Sequence, residues 1–132
     1  MCTDITGAFP VHSFKSMQYM FVAYIYDLNA IIVCAMPSHT DVSMVTAFIE
    51  VAPALKAGGY TPTLNMMDNE CSAAVEKYIR SEKIGIQLVL PHNHRVNTAE
   101  QAIATLKEHF IAVLATVNTH CPLQLWDECL PY

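Results

Sequence analysis

The sequence predicts an α/β domain with a five-stranded mixed sheet and helices on both faces. Three observations predict it. The first third carries three apolar, strand-like runs separated by turn chemistry, and the remainder alternates helix-period segments with short apolar runs. The run IGIQLVL (84–90) is almost wholly apolar, which is how a parallel strand buried on both faces reads. With 132 residues, 53% hydrophobic and 14% charged, the chain has one domain's length and enough apolar surface for a substantial core.

The first strand is expected from about Thr3 to Val11, followed by the polar turn HSFKSMQ. YMFVAYIYDLNAIIVCAM is broken by Asp27, Leu28 and Asn29, turn residues between two strands, so the opening is an antiparallel meander. DVSMVTAFIEVAPALKAGG has apolar residues at Val45, Phe48, Ile49, Ala52 and Leu55, a helical period stopped by Gly58 and Gly59, with a kink expected at Pro53. TPTLNMM is a short strand, ECSAAVEKYIRSEK a helix ending before Gly85, and IGIQLVL the fifth strand. A long helix runs from about Thr98 to Val117, and Pro122 opens a further helical segment in CPLQLWDECLPY. The order is β, β, β, α, β, α, β, α.

Composition excludes some function classes. Five scattered cysteines without a CxxC pair suit buried thiols in a reducing compartment rather than a disulfide framework. No uncharged run of membrane-spanning length and no signal-type N-terminus is present, so an intracellular protein with no membrane partner is expected. The net charge of -5 opposes unaided phosphate binding. Two divalent ions would bring it to about -1.

Three carboxylates stand at element ends: Asp4 in the first strand, Asp68 closing TLNMMD, and Glu100 beginning the long helix. Each also has a bland explanation. Asn97 and Glu100 have the spacing of a capping box, Asp68 can cap a helix, and Asp4 can be a strand-end turn residue. Asp27 reads as turn chemistry. Lys107 lies two helical turns beyond Glu100 on the same side, where it either meets a phosphate or is an ordinary solvated lysine. His92, His94, His109 and Cys121 form no compact zinc motif, and no motif supports Cys71 as a nucleophile.

LNMMDNECSAAV, QLVLPHNHRVNTAEQAIATLKEHFIAVLATV and CPLQLWDECLP together resemble the catalytic core of retroelement integrases of the retroviral and long-terminal-repeat retrotransposon kind. TDITGAFPVHSFKSMQYMFVAYIYDLNA resembles that family's first strand and hairpin, so the resemblance covers nearly the whole chain. It implies a ribonuclease H-like fold, with Asp4, Asp68 and Glu100 as catalytic and metal-binding carboxylates for two Mg2+ or Mn2+ ions. It further implies DNA contacts at His94, Arg95 and Lys107, DNA ends and a target as partners, a homo-oligomer in the full-length protein, and a nuclear setting in a eukaryote. The implied reaction is phosphodiester cleavage and strand transfer. Such chemistry places charge on attacking and leaving oxygens at once, which hard cations held by carboxylates about 3.5–4 Å apart can stabilise.

The chain departs from the family pattern in several places. Only 31 residues separate Asp68 from Glu100, fewer than is usual, implying a trimmed loop around Lys83 to Gly85. Gln101 and Ala104 stand where basic residues are common. Residues 1–132 are read as a single integrase core truncated within a further helix, a fragment or decaying copy. The competing expectations are a non-catalytic remnant or interaction module, and a small-molecule-binding domain with an apolar pocket in place of the carboxylate site.

Overall fold

A computed structural model describes residues 1–68, 71–89 and 98–130. The strands are β1 (Cys2–Ile5), β2 (Tyr19–Ile25), β3 (Ala30–Met36), β4 (Leu64–Asp68) and β5 (Gly85–Val89). The helices are α1 (Asp41–Ala57), α2 (Ala73–Ser81) and α3 (Thr98–Thr116), and a 3-10 helix covers Leu123–Cys129. The sheet order is β3-β2-β1-β4-β5. β1 to β3 pair antiparallel and β4 joins β1 and β5 in parallel, the five-stranded mixed sheet that the sequence predicts.

Alternation along the strands divides the core in two. Phe21, Ala23 and Ile25 of β2, with Met67 of β4, pack against Met44, Phe48, Val51 and Leu55 of α1 and Val75 and Ile79 of α2. Met20, Val22 and Val33 project to the other face and meet Ile103, Leu106 and Phe110 of α3, together with Trp126 and Leu130. No described helix is long and apolar enough to cross a membrane.

Local chemistry explains the element ends. Thr40 caps α1 by accepting from the Ser43 amide, and Ser72 caps α2 by accepting from Val75. Gly59, at φ 71°, ends α1 in a Schellman arrangement in which the Tyr60 amide donates to Leu55 at 2.9 Å. Asn29 turns the β2–β3 hairpin at φ 46°, and its side-chain oxygen accepts from the Tyr24 hydroxyl at 2.9 Å.

Two expectations are corrected. β1 ends at Ile5 rather than near Val11, because Gly7 and Pro10 interrupt a continuous ladder and residues 6–18 form a loop. α1 buries Met44, Ala47, Phe48, Val51 and Leu55, while Ile49, expected inside, is 52% exposed. Pro53, where a kink is expected, lies inside α1.

Trp126 is the anchor of the α3 face. Its ring stacks on Phe9 at 4.6 Å and meets Phe110 at 6.3 Å, and its indole N–H donates to the Val11 carbonyl at 2.9 Å. Below it, Ser13 donates to the Asp127 carboxylate at 3.1 Å in a buried bond. Trp126→Ala should therefore cost about 3–5 kcal/mol, read as a fall in the urea midpoint. Lys83 holds the same terminating role after α2 as Gly59 after α1, but at φ 62° with a side chain. Its amide donates to Arg80 and that of Ile84 to Ile79. Lys83→Gly should raise stability by about 0.5–1 kcal/mol, checked by the same denaturation.

Candidate functional site

β1 and β4 are adjacent parallel strands in which Cys2 is opposite Met66. Two residues further along each strand, the same register sets Asp4 opposite Asp68 on the same sheet face, which is the α3 face. Adjacent strands lie about 4.8 Å apart, so the register makes neighbours of residues 64 positions apart in the chain. Asp4 stands on the central strand and Asp68 is the last residue of the neighbouring one, as the sequence reading expects. One Asp4 oxygen accepts from the Ile5 amide at 2.8 Å.

Both aspartates are among the residues lining a cavity of about 200 Å³ at the carboxyl ends of β1 and β4. Its other walls come from Thr3, Ile5, Phe21, Met67, Met44 and His39. Ligand sites in open α/β sheets favour this strand-end position. His39, packed edge-to-face on Tyr19 at 5.4 Å, carries no motif in the sequence that would have marked it as a neighbour of the two carboxylates.

Glu100 lies in the first turn of α3 and is exposed. Its helix contacts β1 and β2. Helical phase sets Glu100 and Lys107 on one flank of the stripe formed by Ile103, Leu106 and Phe110. Among the described residues, no three His, Cys, Asp or Glu side chains are grouped closely enough to hold a metal. The structure thus brings Asp4 and Asp68 together and leaves Glu100 outside any such group. His94 and Arg95, with His92 and Asn97, lie outside the described residues.

The donor set fits a hard divalent cation in kind. Asp4 and Asp68 offer carboxylate oxygens from adjacent strands, while Glu100, in the first turn of α3, would have to approach them to supply a third. Two of the described basic residues are already paired: Lys15 with Glu128, and Arg80 with Glu76 at 2.8 Å. The more apolar cavity, about 170 Å³ among Phe21, Phe48, Val51, Leu55, Ile79 and Tyr78, lies between the sheet and α1 and α2, away from Asp4 and Asp68.

No protein-family model matches the sequence, and no curated protein does. Solved structures do match. A chain of the simian T-cell lymphotropic virus intasome, determined in complex with PP2A regulatory subunit B56 gamma, superposes with a TM-score of 0.75 at 16% identity, covering 96% of this chain. The catalytic core domain of BIV integrase superposes with a TM-score of 0.68 at 17% identity, covering 97% of this chain. The fold is that of an integrase catalytic core. The chain spans 44% of the intasome chain and 75% of the BIV core. In this integrase-core fold, the sheet order and the position of Asp4 at its centre follow the ribonuclease H-like expectation.

Cys34 and Cys71 are poor nucleophiles. Burial, with Glu50 nearby, pushes the Cys34 thiol up to about 12, and burial also raises Cys71. Because the folded pKa of Cys34 exceeds the unfolded value, its contribution to stability is complete below about pH 9 and is lost as pH rises towards 12. Iodoacetamide at pH 8 should leave Cys34 unmodified in the native protein and label it in urea, as read by peptide mass spectrometry.

Proposed function

We propose that this chain is the core of a retroelement integrase, binding DNA and carrying out metal-dependent phosphodiester cleavage and strand transfer. The observation that supports it most is the placement of Asp4 opposite Asp68 on one face of an integrase-core sheet, beneath a helix whose first turn carries Glu100. In this reading Asp4, Asp68 and Glu100 would hold two Mg2+ or Mn2+ ions. Such ions, when bound, neutralise charge on the attacking and leaving oxygens of an in-line displacement. The chain's own residues supply position: the strand pair presents the aspartates, and Lys107, two turns from Glu100, faces a DNA phosphate. His94 and Arg95 complete the DNA contacts. The partners are element ends and a target duplex, the working form of the full-length protein is an oligomer, and in a eukaryotic host the site of action is the nucleus.

A second reading, a non-catalytic remnant that keeps the fold, is favoured by one observation. Among the described residues the three carboxylates form no metal-holding group, and Gln101 and Ala104 add no positive charge to the helix that would face DNA.

Millimolar Mn2+ should raise the melting temperature, since an ion at 100 times its dissociation constant adds about 2.7 kcal/mol to the folded state. Asp4→Asn and Asp68→Asn should each remove the shift, and a wild-type melting curve indifferent to Mn2+ and Mg2+ would contradict a preformed site.

The chain alone should show little strand transfer on a labelled duplex, because affinity falls steeply as phosphate contacts are lost. Gln101→Arg with Ala104→Arg, in a chain extended beyond Tyr132, should steepen the salt dependence of DNA binding by about two phosphate contacts and recover metal-dependent nicking or joining. Glu100→Gln should abolish it again. Tight DNA binding by the restored protein without turnover in either metal would favour the remnant.

A further inference from the structure

The sheet has a seam. Among the described residues the register pair that joins β1 to β4 is Cys2↔Met66, extended at its start by the Met66 amide donating to the Met1 carbonyl at 3.0 Å and the Met1 ammonium donating to the Leu64 carbonyl at 2.8 Å. The seam between β3-β2-β1 and β4-β5 therefore runs between Asp4 and Asp68. A buried side-chain hydrogen bond crosses it: Asn65 of β4 donates from Nδ2 to Thr3 Oγ1 of β1 at 2.9 Å. Asn65 is 0% exposed and Thr3 2%. Asn65 shares its sheet face with Met67, Phe21 and Ile79 of the α1 and α2 side, where an apolar residue would pack with no polar atom to satisfy. Its other amide atom, Oδ1, is buried without a hydrogen-bond partner.

We propose that Asn65 is a positioning residue for the carboxylate pair, fixing the β1–β4 register through Thr3. The inference rests on the metal-site reading above for its consequence, though not for its geometry. A slip of one residue at this seam would turn Asp68 towards the α1 face and bring an apolar side chain opposite Asp4. The Asn65–Thr3 bond forms in the register that sets Asp4 opposite Asp68, and a slipped register would separate the two partners. Buried polar residues retained at a cost in stability have this registry role elsewhere. Thr3 immediately precedes Asp4, so the bond holds the strand beside the carboxylate itself.

The test separates positioning from mere support. Asn65→Leu removes the bond and the orphaned oxygen at similar volume but leaves the buried Thr3 hydroxyl without its donor, so the urea midpoint should fall modestly, whereas Asn65→Leu with Thr3→Val removes both partners and should leave it nearly unchanged. Cross-strand nuclear Overhauser contacts between residues 2–4 and 66–68 should shift or double, and the Mn2+ dissociation constant, read by calorimetry, should rise about 10- to 100-fold. Thr3→Val should reproduce both effects, Thr3→Ser should retain wild-type contacts and affinity, and the double variant Asn65→Leu with Thr3→Val should be no worse than either single change. An unaltered single set of contacts in Asn65→Leu overturns the proposal, as does unaltered Mn2+ affinity in a protein that binds the ion. If the wild type takes up no Mn2+, the metal reading fails separately, and the cross-strand contacts alone decide whether Asn65 sets the register.

Discussion

β1 is four residues long and central, and the candidate site depends on how it joins β4. On one side it is held by a four-pair antiparallel ladder to β2, continued by the Thr6 amide donating to Met20 at 2.9 Å. On the other side the parallel pair Cys2↔Met66, extended by the bonds of Met1 to Leu64 and Met66, sets Asp4 opposite Asp68. Parallel pairing is somewhat weaker per residue than antiparallel, so side-chain contacts matter more at this junction than along the β1–β2 ladder. A buried, unpaired amide oxygen next to it costs about 1–3 kcal/mol. That the chain carries this cost where a Leu or Val would pack freely is the physical reason to look for a task in register rather than in stability.

The second dependence is between the end of the described chain and the position of Glu100. α3 is held on the sheet by Ile103, Leu106 and Phe110, but the far side of that contact is closed by Trp126 and Leu130. Trp126 also pins residues 6–18, through Phe9 and the Val11 carbonyl, and Ser13 links the same loop to Asp127 while accepting from the Lys15 and Met17 amides. The loop leaves β1 just beyond Asp4. One aromatic anchor therefore ties together the strand that bears the first carboxylate and the helix that bears the third, so damage at Trp126 reaches both.

Elements with strong periodicity were legible in the sequence. The Asp27–Asn29 break located the hairpin, the apolar run located β5, and the order of strands and helices located Asp4 at the sheet centre. The phase of α1 was not, because Val45, Phe48, Ile49 and Ala52 make a stripe as regular as the one observed, and only the position of the sheet decides between Ile49 and Val51. The Thr3–Asn65 bond was illegible for a related reason: a polar residue in a short apolar strand reads as its solvent face, yet here both partners are interior. The pairing of Asp4 with Asp68 followed from placement at strand ends, whereas its register, and the approach of His39 to the same cavity, exist only in the assembled sheet.

Charge and position pull the functional reading in one direction. Two aspartates side by side on an acidic chain repel a polyanion, so the proposed DNA binding requires either cations at the carboxylates or basic groups around them. Of the described basic residues, Lys15 and Arg80 already face Glu128 and Glu76, Lys56, Lys77 and Lys83 lie in or beside α1 and α2, and α3 carries Lys107 with no basic residue at 101 or 104. The aspartate pair can thus be well placed while the substrate is not, and correct placement of the reacting groups can supply about 7–11 kcal/mol of the barrier reduction in reactions of this type. An integrase-core fold with a sound carboxylate register and a sparse phosphate grip is therefore expected to bind metal better than it turns DNA over, and these two properties have to be measured apart.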